Sequence, residues 1–140
     1  MILSPHEIAY LALNVGGWKP DDAVVMTAIA LAESGGDTEA LGRTKDPDST
    51  SLGQRDHGLW QISGRWFGRT LQVFRWRDPY DNCRMARVAF DESLRIHPEQ
   101  HGFGAWNVTD TGAELQFLPD ARWAIKAPFP PPPAQAAWRT

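Results

Sequence analysis

Cysteine is nearly absent from this chain. A single residue, Cys83, rules out a disulfide framework within one chain and any cysteine-rich zinc site. A surplus of either charge is also lacking. Fourteen basic against seventeen acidic residues leave a net charge of −3, which excludes a chain that works chiefly as a clamp on nucleic acid or on a membrane surface. No apolar run approaches the roughly 18 residues of a membrane span. Met1 to Pro5 shows neither the basic start nor the continuous apolar stretch of a secretory signal. The four histidines, His6, His57, His97 and His101, have no ligand-like spacing with other donors, and Pro98 breaks the helix face that His97 and His101 would share. Neither a metal nor a cofactor is expected. Against these scarcities stands tryptophan, with seven residues in 140. Indole is large and flat, and suited to stacking, so the surplus asks for a reason.

The length fits one domain with a core of its own. Ser4, Pro5 and Glu7 predict an N-cap, a first-turn proline and a capping box for a helix over 4–15, ended by Gly16-Gly17. Asp21-Asp22 predict the cap of a second helix over 22–33 that is apolar nearly all round, as buried central helices are. Residues 37–57, rich in Asp, Ser, Thr, Gly and Pro, read as a long loop or an irregular hairpin, followed by a short extended stretch at 58–63. Asp78-Pro79 opens a helix over 79–97 with Cys83, Ala86, Phe90 and Leu94 on one stripe. Thr111 and Glu114 read as another capping box, and Asp120 as the cap of a last short helix to about Lys126. The expected class is mainly α, with one small β or loop lobe. Residues 1–127 form the domain and the proline-rich 128–140 a tail. That tail is either an extended end or an arm docking on a neighbouring subunit through Phe129 and Trp138.

Glu33 stands out among the charged residues. A carboxylate closing an apolar helix is poorly solvated and sits at the negative end of the helix dipole. Both effects favour a retained proton, which a general acid needs. The plainer alternative is a helix-end glutamate that reaches solvent where Gly35-Gly36 break the chain.

The run Glu33-Ser34-Gly35-Gly36, followed by Asp56-His57-Gly58-Leu59-Trp60-Gln61-Ile62-Ser63, resembles the lysozyme-like superfamily. It is most similar to goose-type lysozyme and soluble lytic transglycosylase domains, including those of phage tail proteins. Such domains carry a Glu-Ser-Gly or Glu-Ser-Phe helix end and then Gly-Leu-x-Gln-Ile; here Trp60 follows Glu33 by 27 positions. Asp56 to Trp66, with Phe67, is also similar to the Asp-Tyr-Gly-x-x-Gln-Ile-Asn-x-x-Trp segment of animal lysozymes. Asp78-Pro79 with Asn82 and Ala86, then Phe103-Gly104-Ala105-Trp106, resembles later parts of the phage-type domains. The likeness spans roughly residues 20–125. It implies a helical domain with a small β lobe, a glycan cleft between them, and cleavage of the MurNAc-β-1,4-GlcNAc bond of peptidoglycan. By motif, Glu33 is the implied general acid, as in lysozyme, the established case of a raised-pKa glutamate. Asp56 stands where animal lysozymes keep a second carboxylate; it is either catalytic or a turn residue, with Asp46 and Asp48 as looser candidates. Missing disulfides point to the bacterial and phage branches. The Ala-Tyr-Asn-Ala-Gly motif of many lytic transglycosylases is present only as a degraded Ala105-Trp106-Asn107-Val108-Thr109, so hydrolase and anhydro-forming transglycosylase both stand.

The same resemblance implies a substrate role for Gln61 and for Trp106, as a cleft amide and a stacking aromatic. Each also has a core reading, and Ser34 either orients Glu33 or caps the chain. Trp60 is expected behind the strand, with Trp18 and Trp123 in the core. Arg65, Arg69, Arg75, Arg77, Arg84 and Arg87, interleaved with Trp66, Phe67, Phe74 and Trp76, read as a solvated or partner-contacting face. They are alternatively contacts for peptidoglycan stem carboxylates; single-stranded nucleic acid is disfavoured by the net charge. Expected partners are peptidoglycan strands and, through the tail, phage tail or virion proteins. Delivery is by lysis, by virion or by a dedicated export route. The alternative function is a weakly or non-catalytic glycan-binding or structural module of a phage tail or other assembly.

Overall fold

The structure, a computed structural model, describes residues 1–42, 55–64 and 74–133. Asp46, Asp48, Arg65, Trp66, Phe67, Arg69 and Trp138 lie outside the described residues. Helix α1 spans Pro5–Asn14 and starts where the capping box places it. The Glu7 amide donates to Ser4 Oγ (3.2 Å) and the Ser4 amide to Glu7 Oε1 (3.0 Å). Its inner face buries Ile8, Ala9, Leu11 and Ala12. Helix α2 spans Pro20–Ser34, and so begins earlier than an aspartate cap implies. Pro20 takes the first turn, and Asp21 and Asp22 sit inside it, where their charge complements the helix dipole.

Helix α2 is the centre of the domain. It packs against α1, against the 3-10 turn Ala113–Phe117 and against the last helix. This explains its apolar circumference, with Ala23, Met26, Thr27, Ala28, Ile29, Ala30 and Leu31 all buried. Gly35 closes it, its amide donating to the Leu31 carbonyl (2.9 Å). The first residues of the chain run antiparallel beside the turn after α2, with Leu3 N–H to Gly36 O at 2.9 Å and Thr38 N–H to Met1 O at 3.0 Å.

The small lobe is a hairpin of β1 (Asp56–His57) and β2 (Ile62–Ser63), paired antiparallel with Asp56 opposite Ser63. Residues 40–42 run along the other side of β1, with Gly58 N–H to Ala40 O and Gly42 N–H to Asp56 O, both 2.8 Å. Helix α3 (Pro79–Ile96) is capped by Asp78, whose carboxylate accepts the Tyr80 amide (2.8 Å). Its stripe buries Cys83, Ala86 and Phe90, but Leu94 is exposed because the last turns of α3 run past the core.

The C-terminal third departs from its sequence reading. Helix α4 (Val108–Thr111) ends after one turn at Gly112, which adopts the left-handed conformation. Thr111 therefore closes a helix instead of opening one, and its hydroxyl donates back to Val108 O (3.1 Å). Helix α5 spans Leu118–Ala124, with Asp120 inside its first turn and not at its cap. This short helix approaches α1 and α2 through Ala121 and Ala124, leaving Trp123 on its outer side at 69% exposure and outside the core. Residues 127–131 stay against the domain. The Phe129 ring stacks on His6 (centroids 5.7 Å apart), and the Tyr80 hydroxyl donates to the Pro131 carbonyl (2.6 Å). No helix among the described residues is long and apolar enough to cross a membrane.

Candidate active site

Glu33 sits in the last turn of α2, and β1 brings Asp56 towards it from the opposite lobe. The Glu33 carboxyl is pushed up from an ordinary 4.5 to about 7, chiefly because burial strips its hydration, and then because the Asp56 carboxylate repels a second negative charge. Asp56 belongs to an exposed residue, yet the protein around its carboxyl removes enough water to raise its pKa as well. Two carboxyls thus share one region, and the more desolvated of them holds its proton near neutrality. That division suits acid and charge-stabilising roles in a single site.

What aims Asp56 is the alternation of the strand. Its neighbour His57 points the other way and is wholly buried, its ring edge-on to Trp76 (centroids 4.8 Å apart). Burial is the largest influence on His57 and lowers its pKa, so the ring is neutral in the core.

Trp60 anchors this hairpin to the helical part. All three of its hydrogen-bonding groups are used, each on a different segment. Its indole N–H donates to Met26 O of α2 (2.9 Å), its amide to Asn82 Oδ1 of α3 (2.9 Å), and its carbonyl accepts the Trp106 indole N–H (2.8 Å). The Met26 bond matters for the site because Glu33 lies two turns further along the same helix.

The other residues singled out from the sequence fall outside the carboxyl pair. Trp106 is 3% exposed, with its indole spent on Trp60, so its ring offers no free face for a sugar. Trp106→Phe leaves the buried Trp60 carbonyl without its donor and a gap beside it, and is expected to cost at least about 1–3 kcal/mol, measured as a fall in Tm on thermal unfolding. Gln61 is buried with a left-handed backbone (φ 49°), and its Nε2 donates to Gly58 O (2.9 Å) and Ala40 O (3.0 Å). Its amide closes the hairpin turn and ties residue 40 to it. Ser34 Oγ donates to Ala30 O (2.9 Å) and accepts the Gly36 amide (3.2 Å), which makes it a chain cap. Arg84 pairs with Asp81 (2.7 Å) within α3, whereas Arg87 pairs with Asp91 (3.1 Å) and also donates to the Gly16 carbonyl (3.3 Å), tying α3 to the end of α1. Among the described residues no group of three His, Cys, Asp or Glu side chains is placed to hold a metal ion.

A mainly helical domain, with a small hairpin facing the end of a buried central helix and a carboxyl on each side, has the lysozyme-like architecture. A family profile described as a lysozyme-like domain matches residues 9–116, and the chain belongs to that family. At the level of the superfamily the associated activity is glycan cleavage directed at peptidoglycan. No curated protein and no solved structure matches the chain.

Proposed function

We propose that the protein is a muramidase that cleaves the MurNAc-β-1,4-GlcNAc bond, with Glu33 as general acid and Asp56 as the second carboxyl. The observation that carries this reading is the placing of Glu33, a half-buried carboxyl at the end of α2 that faces the Asp56 carboxyl and whose pKa is pushed up to about 7. Such a group delivers its proton to the glycosidic oxygen as the C–O bond breaks, and the sugar left behind develops positive charge at its anomeric carbon. An ionised Asp56 on the facing strand lowers the energy of that charge. Water in a hydrolase, or the muramic 6-hydroxyl in a transglycosylase, then bonds to the anomeric carbon and gives up its proton to the ionised Glu33, which restores the acid.

Digestion of purified peptidoglycan, with mass analysis of the released muropeptides, tests the proposal and separates the two completions. Reducing ends mark hydrolysis, and anhydro ends mark transglycosylation. Absence of any release would overturn the enzymatic reading, and retention on sedimented cell walls would then indicate a binding module. The rate against pH adds a second check. Because Glu33 works protonated, activity is expected to fall as pH rises through about 7.

A further inference from the structure

We infer that Asn82 is a positioning residue, whose carboxamide fixes where β1 presents Asp56 to Glu33 by bonding three backbone groups of the hairpin and its approach. This rests on the reading of Glu33 and Asp56 as the working pair. Asn82 lies on α3 and is completely buried beside Cys83, Met85, Ala86 and Ala89, where an unpaired amide would be costly. It is fully used. Oδ1 accepts the Trp60 amide (2.9 Å), and Nδ2 donates to His57 O (3.0 Å) and Trp76 O (3.1 Å).

The pattern of one donor and two carbonyls around the side chain matches a carboxamide in a single orientation. A flipped amide would set N–H against the Trp60 N–H and a carbonyl against two others. The bonds to His57 and Trp60 hold the two sides of the hairpin turn, and the bond to Trp76 holds the chain entering α3. A hairpin of two-residue strands cannot fix its own position. The side chain of Asp56 follows from the strand that carries it, and Asn82 grips that strand one residue away.

Glu33 reports on this directly, because its proton is held partly by the nearness of Asp56. The test follows the Glu33 side-chain carboxyl by carbon-13 NMR against pH in the wild type, Asn82→Ser, Asn82→Ala and Met85→Ala. Met85 is a buried neighbour on the same helix whose truncation destabilises the core without touching the hairpin bonds. The expected result is a wild-type midpoint near 7, a midpoint lowered by roughly one unit in the folded Asn82 variants, and a wild-type midpoint in Met85→Ala despite its lower Tm. An unchanged midpoint in the folded Asn82 variants overturns the inference. So does an equal shift in Met85→Ala, or failure of both Asn82 variants to fold, which would make Asn82 a folding residue only. A wild-type midpoint near 4.5 would instead sink the general-acid reading itself, and is recognised before any variant is made.

Discussion

Glu33→Gln is expected to lose cleavage activity by about 10²–10⁴-fold, the usual worth of a positioned general acid, and yet to be more stable than the wild type above pH 7. The amide keeps the size and shape of the carboxyl but has no proton to give to a leaving oxygen. Stability moves the other way because of the raised pKa. The folded protein binds the Glu33 proton to about pH 7, whereas an ordinary carboxyl releases it near 4.5. Folding is therefore favoured by that proton below about 4.5, and the advantage is lost as pH rises to about 7. Above that range the wild type carries a desolvated charge next to Asp56. At about 1.4 kcal/mol per unit, and discounted for partial contact with solvent, the penalty is on the order of 2 kcal/mol. Glutamine does not carry it. Thermal unfolding at two pH values checks this: Tm of the variant should exceed that of wild type at pH 8 by roughly 6 °C, and the two should converge at pH 4. A variant that loses activity with no alkaline gain in Tm would show Glu33 to be an ordinary exposed carboxylate.

Gly58→Ala is expected to be the most damaging small substitution in the lobe. Gly58 has φ 75°, a left-handed conformation, and a Cβ placed there would lie 2.4 Å from Asn82 Nδ2 and 2.7 Å from the Trp76 carbonyl. Neither neighbour is a flexible chain end. The backbone penalty is about 1–2 kcal/mol, and displacing Asn82 exposes buried groups worth about 1–3 kcal/mol each. A total of about 3–5 kcal/mol is a large share of the stability of a small domain. Gly17→Ala isolates the crowding, since Gly17 has a similar φ of 67° and nothing within 4 Å of the added carbon. Its loss should stay near the backbone penalty alone. Denaturant melts of the two variants give the comparison, and equal losses would remove the steric argument.

The parts of the fold that could be read in advance are those whose signals are local. The Ser4-Glu7 box, the apolar circumference of α2, the glycines after Ser34 and the Asp78-Pro79 start each act through neighbours in sequence. The carboxyl pair was half legible. A buried helix ending in Glu33 is a sequence feature, but the approach of Asp56 depends on the hairpin being pinned from α2 and α3. Tryptophan was legible in part: Trp18 and Trp60 are buried as their sequence reading has them, whereas Trp123 is not. Trp18, Trp60, Trp76 and Trp106 are all buried, while Trp123 is exposed. Counting apolar residues cannot find this, because α5 packs through its alanines and turns its largest side chain outward. Asn82 carried two cues, its place in the stretch that resembles phage-type domains and its position as a polar residue beside the apolar stripe of a helix. Its three partners come from residues 57, 60 and 76, and only the folded chain assembles them.

The three anchors of Trp60 also bear on how the domain comes apart. A sheet of four residues has almost no stability of its own. Here its turn is tied at one residue to α2, to α3 and to the segment carrying Trp106. Local opening of the hairpin must break all of those ties together and expose the indole, which brings its free energy close to that of global unfolding. The described hairpin is therefore expected to open with the helical part and not before it. A loss of stability in any of the three tied segments is shared by the hairpin, and by the carboxyl it carries.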